Sequence, residues 1–198
     1  MQKIWEVVLH LTGGIYIPEE VRDSSIKIIH ISDTPSMIYS DIYRLVKIIN
    51  PDVLIHTGDL VDDVKLEMLP QQITKYKARA NDFLKNVSNH TKDMVVVVPG
   101  NHDEPKVLTK QREIKIVEEG KVFEKYNMKL GLAHYFERLP KDCDYYLYGH
   151  SKVDHVEDNY LNGIDFINII KVEEGKVFRL LYPSGTDNYR LRRNKLGI

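Results

Sequence analysis

The chain has 198 residues, 42% of them hydrophobic, which is ordinary for a globular protein and enough for one domain with a substantial core. A formal net charge of −1 builds in no general attraction for nucleic acid or an anionic membrane, and no apolar run approaches the ~20 residues of a membrane span. The single cysteine, Cys143, excludes an intramolecular disulfide and suits a reducing cytoplasm, and the N-terminus lacks the apolar core of a signal peptide.

In chain order, Trp5 to Leu11 alternates apolar and polar residues, Gly13-Gly14 can turn, and Ile15 to Ile17 can return. Residues 1–25 are therefore expected to be an N-terminal β-hairpin extension, either on a sheet edge or as a self-association surface that would make a homodimer. Ile26 to Ile31 reads as a buried strand. Ile38, Ile42, Leu45, Val46 and Ile49 share one helical face, which Asn50-Pro51 ends. Val53 to His56 is the next strand, so residues 26–56 form a right-handed βαβ unit with parallel neighbours. Leu69 to Val87 keeps the 3.6 period, with Pro70 in the first turn, and Met94 to Val98 is another buried strand. A short helix is expected around Lys106 to Gln111. Strands follow at 114–118 and 121–125, joined at Glu119-Gly120, then at 129–133 and 145–148. Ile164 to Lys171 and Lys176 to Tyr182 form a hairpin across Glu173-Glu174-Gly175. Alternating strand and helix followed by strands predicts an α/β fold, a four-layer α/β/β/α sandwich of two mixed β-sheets flanked by helices, as a single domain over 1–198.

Five segments at strand ends carry the chemistry: Ile31-Ser32-Asp33-Thr34-Pro35, Thr57-Gly58-Asp59, Pro99-Gly100-Asn101-His102-Asp103, Leu132-Ala133-His134 and Gly149-His150-Ser151-Lys152. Carboxylate, carboxamide and imidazole groups brought together this way suit a divalent metal. Such a metal makes water nucleophilic and offsets the charge of a phosphoester.

The series resembles the calcineurin-like metallophosphoesterase family and its small archaeal and bacterial phosphodiesterases. Their pattern runs Asp-x-His, Gly-Asp, Gly-Asn-His-Asp/Glu, His, Gly-His-x-His, and here the resemblance spans residues 26 to 182. It implies a metal-dependent phosphoesterase with Asp33, Asp59, Asn101, His134 and His150 as metal ligands. Asp59 would bridge two ions. His102 would contact the phosphate and protonate the leaving oxygen, oriented by the Asp103 carboxylate. Pro35 and Lys152 stand where the family has two histidines of the same metal. Proline has no side-chain donor and an ammonium has no lone pair. One metal per chain is therefore expected, as Mn, Fe, Zn or Ni, with the Lys152 ammonium paired to Asp33 in place of the other ion. The substrate is expected to be a small phosphoester. The alternative is a catalytically weak or inactive protein of this fold that acts as an interaction module.

Plainer readings stand beside these. Asp33 is placed to cap the helix over 36–49. His30 and His56, inside strands, read as satisfied core histidines, and His10, His90 and His155 as surface residues. Asp154 or His155 is an alternative displaced ligand. Tyr135 is a candidate to face substrate. Either Tyr182-Pro183-Ser184-Gly185 or Asn168 is a candidate for the family's Pro-Gly-Ser turn region. The basic tail from Tyr189 to Lys195 reads as a solvated end, with phosphate or acidic-partner contact as the alternative.

Overall fold

The computed structural model describes residues 2–108, 114–154 and 157–190. Its centre is a six-stranded mixed sheet in the order β10-β9-β1-β2-β3-β4. The strands are β1 (Lys27–Ile31), β2 (Val53–His56), β3 (Met94–Val97), β4 (Ile114–Ile116), β9 (Ile167–Lys171) and β10 (Lys176–Leu180). β1, β2, β3 and β4 run parallel, and β9 is antiparallel to both β1 and β10. The second sheet is four-stranded, in the order β5-β6-β7-β8, from β5 (Lys121–Lys125), β6 (Met128–Leu132), β7 (Tyr145–Tyr148) and β8 (Tyr160–Asn162). Two mixed sheets flanked by helices are what the alternation of elements predicts.

Two hydrophobic layers explain why β1, β2 and β3 are apolar on both faces. Ile28, Val53, Ile55, Val96 and Val98 pack with Leu130, Leu132, Leu147 and Leu161 of the small sheet. On the opposite face Ile29, Ile31, Leu54, Val95 and Val97 meet α2 (Tyr39–Ile49) and α3 (Ile73–Ser88). α2 buries Ile42, Leu45, Val46 and Ile49, the stripe that the 3.6 period predicts, and stops at Asn50 in the left-handed conformation. α3 buries Tyr76, Ala80, Phe83, Leu84 and Val87, after a 3-10 turn that Pro70 opens. The outer face of the small sheet has a thinner cover, in which Phe136 of a 3-10 turn packs on Tyr148 and Tyr160.

Three expectations are corrected or extended. Residues 2–11 are a helix, α1 (Gln2–Leu11), not the first arm of a hairpin. Gly13 (φ 87) ends it, with Gly14 N donating to Leu9 O and Gly13 N to His10 O, so the Gly-Gly pair is a helix stop with the paired bonds of a Schellman motif. β4 and β5 are joined by a turn at Gly120, as expected, but β4 pairs with β3 in the large sheet and the turn carries the chain across to the small one. A period of two identifies a strand but not the sheet it joins. Tyr160–Asn162 is a further strand that sequence periodicity missed, three residues being too few to set a period. The short helix expected around 106–111 is α4 (Pro105–Leu108), and its later residues and His155 lie outside the described residues.

Candidate metal centre

The register aligns the strand ends. Ile31 is level with His56, and His56 with Val97, so the segments after β1, β2 and β3 leave the large sheet side by side. In the small sheet Leu132 is level with Leu147, so His134 and His150 emerge together. Both groups of loops meet at the carboxyl ends of the strands, where open α/β sheets place their sites.

Asp33, Asp59 and His134, all buried, each offer a donor atom within 4.8 Å of the others. His134 carries the geometry furthest. Its Nδ1 lies 2.7 Å from the Thr57 carbonyl oxygen, an acceptor only, so Nδ1 carries a proton and in the neutral ring Nε2 presents a lone pair. Around that Nε2 lie Asn101 Oδ1 at 3.1 Å, His150 Nδ1 at 3.2 Å and Asp59 Oδ2 at 3.7 Å. Asn101 Nδ2 donates to Glu67 Oε2 at 2.5 Å, which turns Oδ1 inward. Oxygen acceptors facing that lone pair are unfavourable neighbours unless a cation or a proton lies among them. Ligands of a first-row ion at ~2.0–2.2 Å lie ~3.0–3.5 Å apart, close to these separations. Asp33, Asp59 and His134 could therefore hold a divalent metal, with Asn101 Oδ1 and His150 Nδ1 beside His134 Nε2.

The backbone is strained to make this arrangement. Asp33 (φ 49), Asp59 (φ 56) and His150 (φ 64) all lie in the left-handed region. Asp33 N donates to Gly58 O at 2.9 Å and Thr34 N to Asp59 O at 3.1 Å, tying the first two loops together. Gly149 is required by close approach, since a Cβ there would strike the Ser32 hydroxyl and the Asp33 carboxylate.

The Asp33 carboxylate accepts from Ser32 Oγ at 2.6 Å and from His150 N at 3.0 Å, so it faces the site and caps no helix. Asp103 does not serve as the expected orienting partner of the His102 ring. Its carboxylate accepts from the backbone N–H of Asp59, Leu60 and Gly100 and from the Tyr76 hydroxyl, and so pins the Asp59 loop to the Gly100 loop. His102 is buried beside Asn101, with Nε2 3.3 Å from Asn101 Nδ2 and Nδ1 3.9 Å from Glu67 Oε2, and its backbone N–H donates to Asp59 Oδ1.

Lys152 overturns its expectation. Its half-exposed side chain turns to Asp187 (3.0 Å) and Asp165 (3.7 Å), away from Asp33. Those two carboxylates belong to the 163–187 region, which periodicity could not place next to residue 152. Pro35 is buried at the start of a 3-10 turn and offers the site no side-chain donor. His30 pairs with Thr57 Oγ1 and Asn168, and His56 with Thr34 Oγ1 and Gly58 N, so both are satisfied core residues. Tyr135 lies against the His150 ring, with centroids 4.2 Å apart. Sequence reasoning missed Glu67, Thr57, Ser32 and Arg190 as supports. Ser32 and Thr57 are inside the recognised segments, whereas nothing local marks Glu67 or Arg190.

Electrostatics divide the two central carboxylates. Burial, then the nearby Asp33 and Asp103, push Asp59 well above the usual carboxylate range. Burial also pushes Asp33 up, but His134, the Ser32 hydroxyl, the His150 N–H and Arg190 outweigh it and hold Asp33 low. Burial and the nearby Asp33 push Asp62 up to about 8. So crowded an acidic pocket favours an incoming cation.

A family model for calcineurin-like phosphoesterases matches residues 26–186. No curated protein matches the chain. One solved crystal structure is similar in fold, with a TM-score of 0.55 and 10% identity over 81% of this chain and 100% of that one. YfcE, a phosphoesterase from E. coli, aligns with a TM-score of 0.49 and 14% identity, over 79% of this chain and 99% of its own. The protein of unknown function AQ665 from Aquifex aeolicus aligns with a TM-score of 0.39 and 19% identity, over 66% and 81%.

Proposed function

This chain belongs to the calcineurin-like phosphoesterase family, and on that premise we propose that it hydrolyses a phosphodiester or a small phosphomonoester at a centre with one well-formed metal position. The observation that carries the reading is the inward lone pair of His134 Nε2, met by Asn101 Oδ1, His150 Nδ1 and Asp59 Oδ2. A divalent ion held there would lower the pKa of a water and offset charge on the phosphoryl oxygens. The mixed oxygen and nitrogen donors suit Mn, Fe, Zn or Ni.

The remaining work falls to the chain. Glu67 holds the Asn101 carboxamide with its oxygen inward. His102 Nδ1 lies 3.9 Å from Glu67 Oε2. His102 is the group for the leaving oxygen, and the Glu67 carboxylate would stabilise its charged form. Asp103 keeps both loops in place. The free thiol of Cys143 is the basis for reading the protein as cytoplasmic. No described helix is long and apolar enough to cross a membrane.

Pro35 and the diverted Lys152 favour a second reading, an interaction module that keeps the metal without catalysis. One sample decides between them, assayed for metal per chain by elemental analysis and for hydrolysis of bis(p-nitrophenyl) phosphate. Metal with turnover that is lost on Asp59→Asn supports the enzyme. Metal without turnover on diesters and monoesters supports the module, and no metal at any loading overturns both.

A further inference from the structure

The basic C-terminal stretch begins with a residue that is not solvated. Arg190, on α5 (Asp187–Arg190), has a fully buried side chain. Its Nε donates to Asp33 O at 2.7 Å, Nη1 to Ile164 O at 2.8 Å and Nη2 to Ser32 O at 3.3 Å. The guanidinium lies over the Tyr182 ring at 3.8 Å, and the Tyr182 hydroxyl donates to Gly163 O. Its ion pair with Asp187 is loose, at 3.8 Å. A buried guanidinium on three carbonyl oxygens with so distant a counter-ion is costly in isolation. It is tolerated because each arm finds a backbone carbonyl, two of the three in the site loop. Two of those carbonyls lie on either side of the Asp33 α-carbon, and Asp33 holds a left-handed φ of 49°.

In the family pattern the missing histidines, at Pro35 and Lys152, would help to fix an ion on Asp33. Neither residue supplies a donor, and Lys152 points elsewhere. We propose that Arg190 is the positioning residue for Asp33, clamping the Ser32, Asp33 and Ile164 carbonyls so that the Asp33 carboxylate is held against a single-metal centre without a second ion. The proposal rests on the metal reading above and not on catalysis.

The sign of the effect separates positioning from simple charge. Removing a positive charge near a cation site tightens cation binding by Coulomb's law alone. Losing the clamp frees Asp33 and weakens it. Mn(II) titration of the full chain by calorimetry, with the Co(II) visible spectrum as a probe of coordination geometry, should show one ion per wild-type chain. Arg190→Gln should weaken Mn(II) binding about tenfold or more and alter the Co(II) spectrum. Arg190→Lys keeps the charge but not the fork, so it should recover only part of the affinity. Arg44→Gln removes a comparable arginine bond, to the Ile15 carbonyl away from the site, and should leave Mn(II) affinity unchanged.

Unchanged or tighter Mn(II) binding in Arg190→Gln overturns the proposal, as does a second tightly bound ion in the wild type. If Arg190→Gln does not fold, Arg190→Lys decides, because wild-type affinity and spectrum in that variant overturn the clamp. A wild type that binds Mn(II) but hydrolyses nothing overturns the phosphoesterase reading alone. A wild type that binds none overturns both.

Discussion

Positive φ at Asp33, Asp59 and His150 costs on the order of 1–3 kcal/mol at each residue, and the surrounding bonds must hold it. Gly149 is where this network has least room, against Ser32 and Asp33. Gly149→Ala is expected to lower stability by roughly 1–3 kcal/mol through overpacking and to weaken metal binding at least tenfold. Urea denaturation and metal titration check the two effects separately, and wild-type values for both would contradict the geometry. His102→Ala should leave metal content intact and reduce turnover by roughly 10²–10⁴-fold, since its ring is assigned to the leaving group. Equal loss of metal and turnover would move His102 into the ligand set. Lys152→Ala should change neither, because its partners are Asp187 and Asp165. Loss of metal in that variant would restore the role that the sequence suggested. At this scale the candidate donor residues were legible because each follows a strand and has metal-ligand chemistry. The partners of Lys152 and Arg190 were not, because a charge in sequence does not reveal which distant groups surround it.

Among the elements, α1 is the one whose character the sequence concealed. Its β-branched residues and Trp5 suit a strand, but Ile4, Val8 and Leu11 also recur at helical spacing, and the helix forms. Those three side chains, with Trp5 and Val7, stand exposed, while His10 ties the helix to the body through Tyr182 O and Ser184 N. A helix of 10 residues is marginal alone, and self-association through these exposed residues is the expectation to test. Trp5→Glu is expected to shift the protein toward monomer in sedimentation velocity, with metal binding unchanged. A wild type that stays monomeric at every accessible concentration would remove that reading. The parallel strands and helices α2 and α3 were legible because their periods are long and unbroken. β4, β5 and β8 were not fully legible, because short strands reveal their partners only when the sheets exist.

For the whole molecule, the two sheets bring His30 and His56 fully into the interior, and burial lowers both to about 3 from 6.5. The unfolded chain therefore binds more protons than the folded one between about pH 6.5 and 3. Stability present above pH 6.5 should be lost as pH falls through that window, by up to roughly 1.4 kcal/mol per pH unit for each histidine. Urea midpoints of the metal-free protein between pH 7 and 4 measure this, and a flat profile would mean that the two rings are not buried neutral. The sequence by itself determined the family, the central βαβ unit and the segments that meet at the strand ends, because each depends on local order: a period, a turn residue or a short motif. Only the tertiary structure decided which lone pairs face one another, that Asp103 braces loops instead of a ring, and that Arg190 replaces Lys152 beside Asp33. Those outcomes depend on contacts between residues distant in sequence, 44 positions for Asp103 and Asp59 and 157 for Arg190 and Asp33, and only the packed fold brings such residues together.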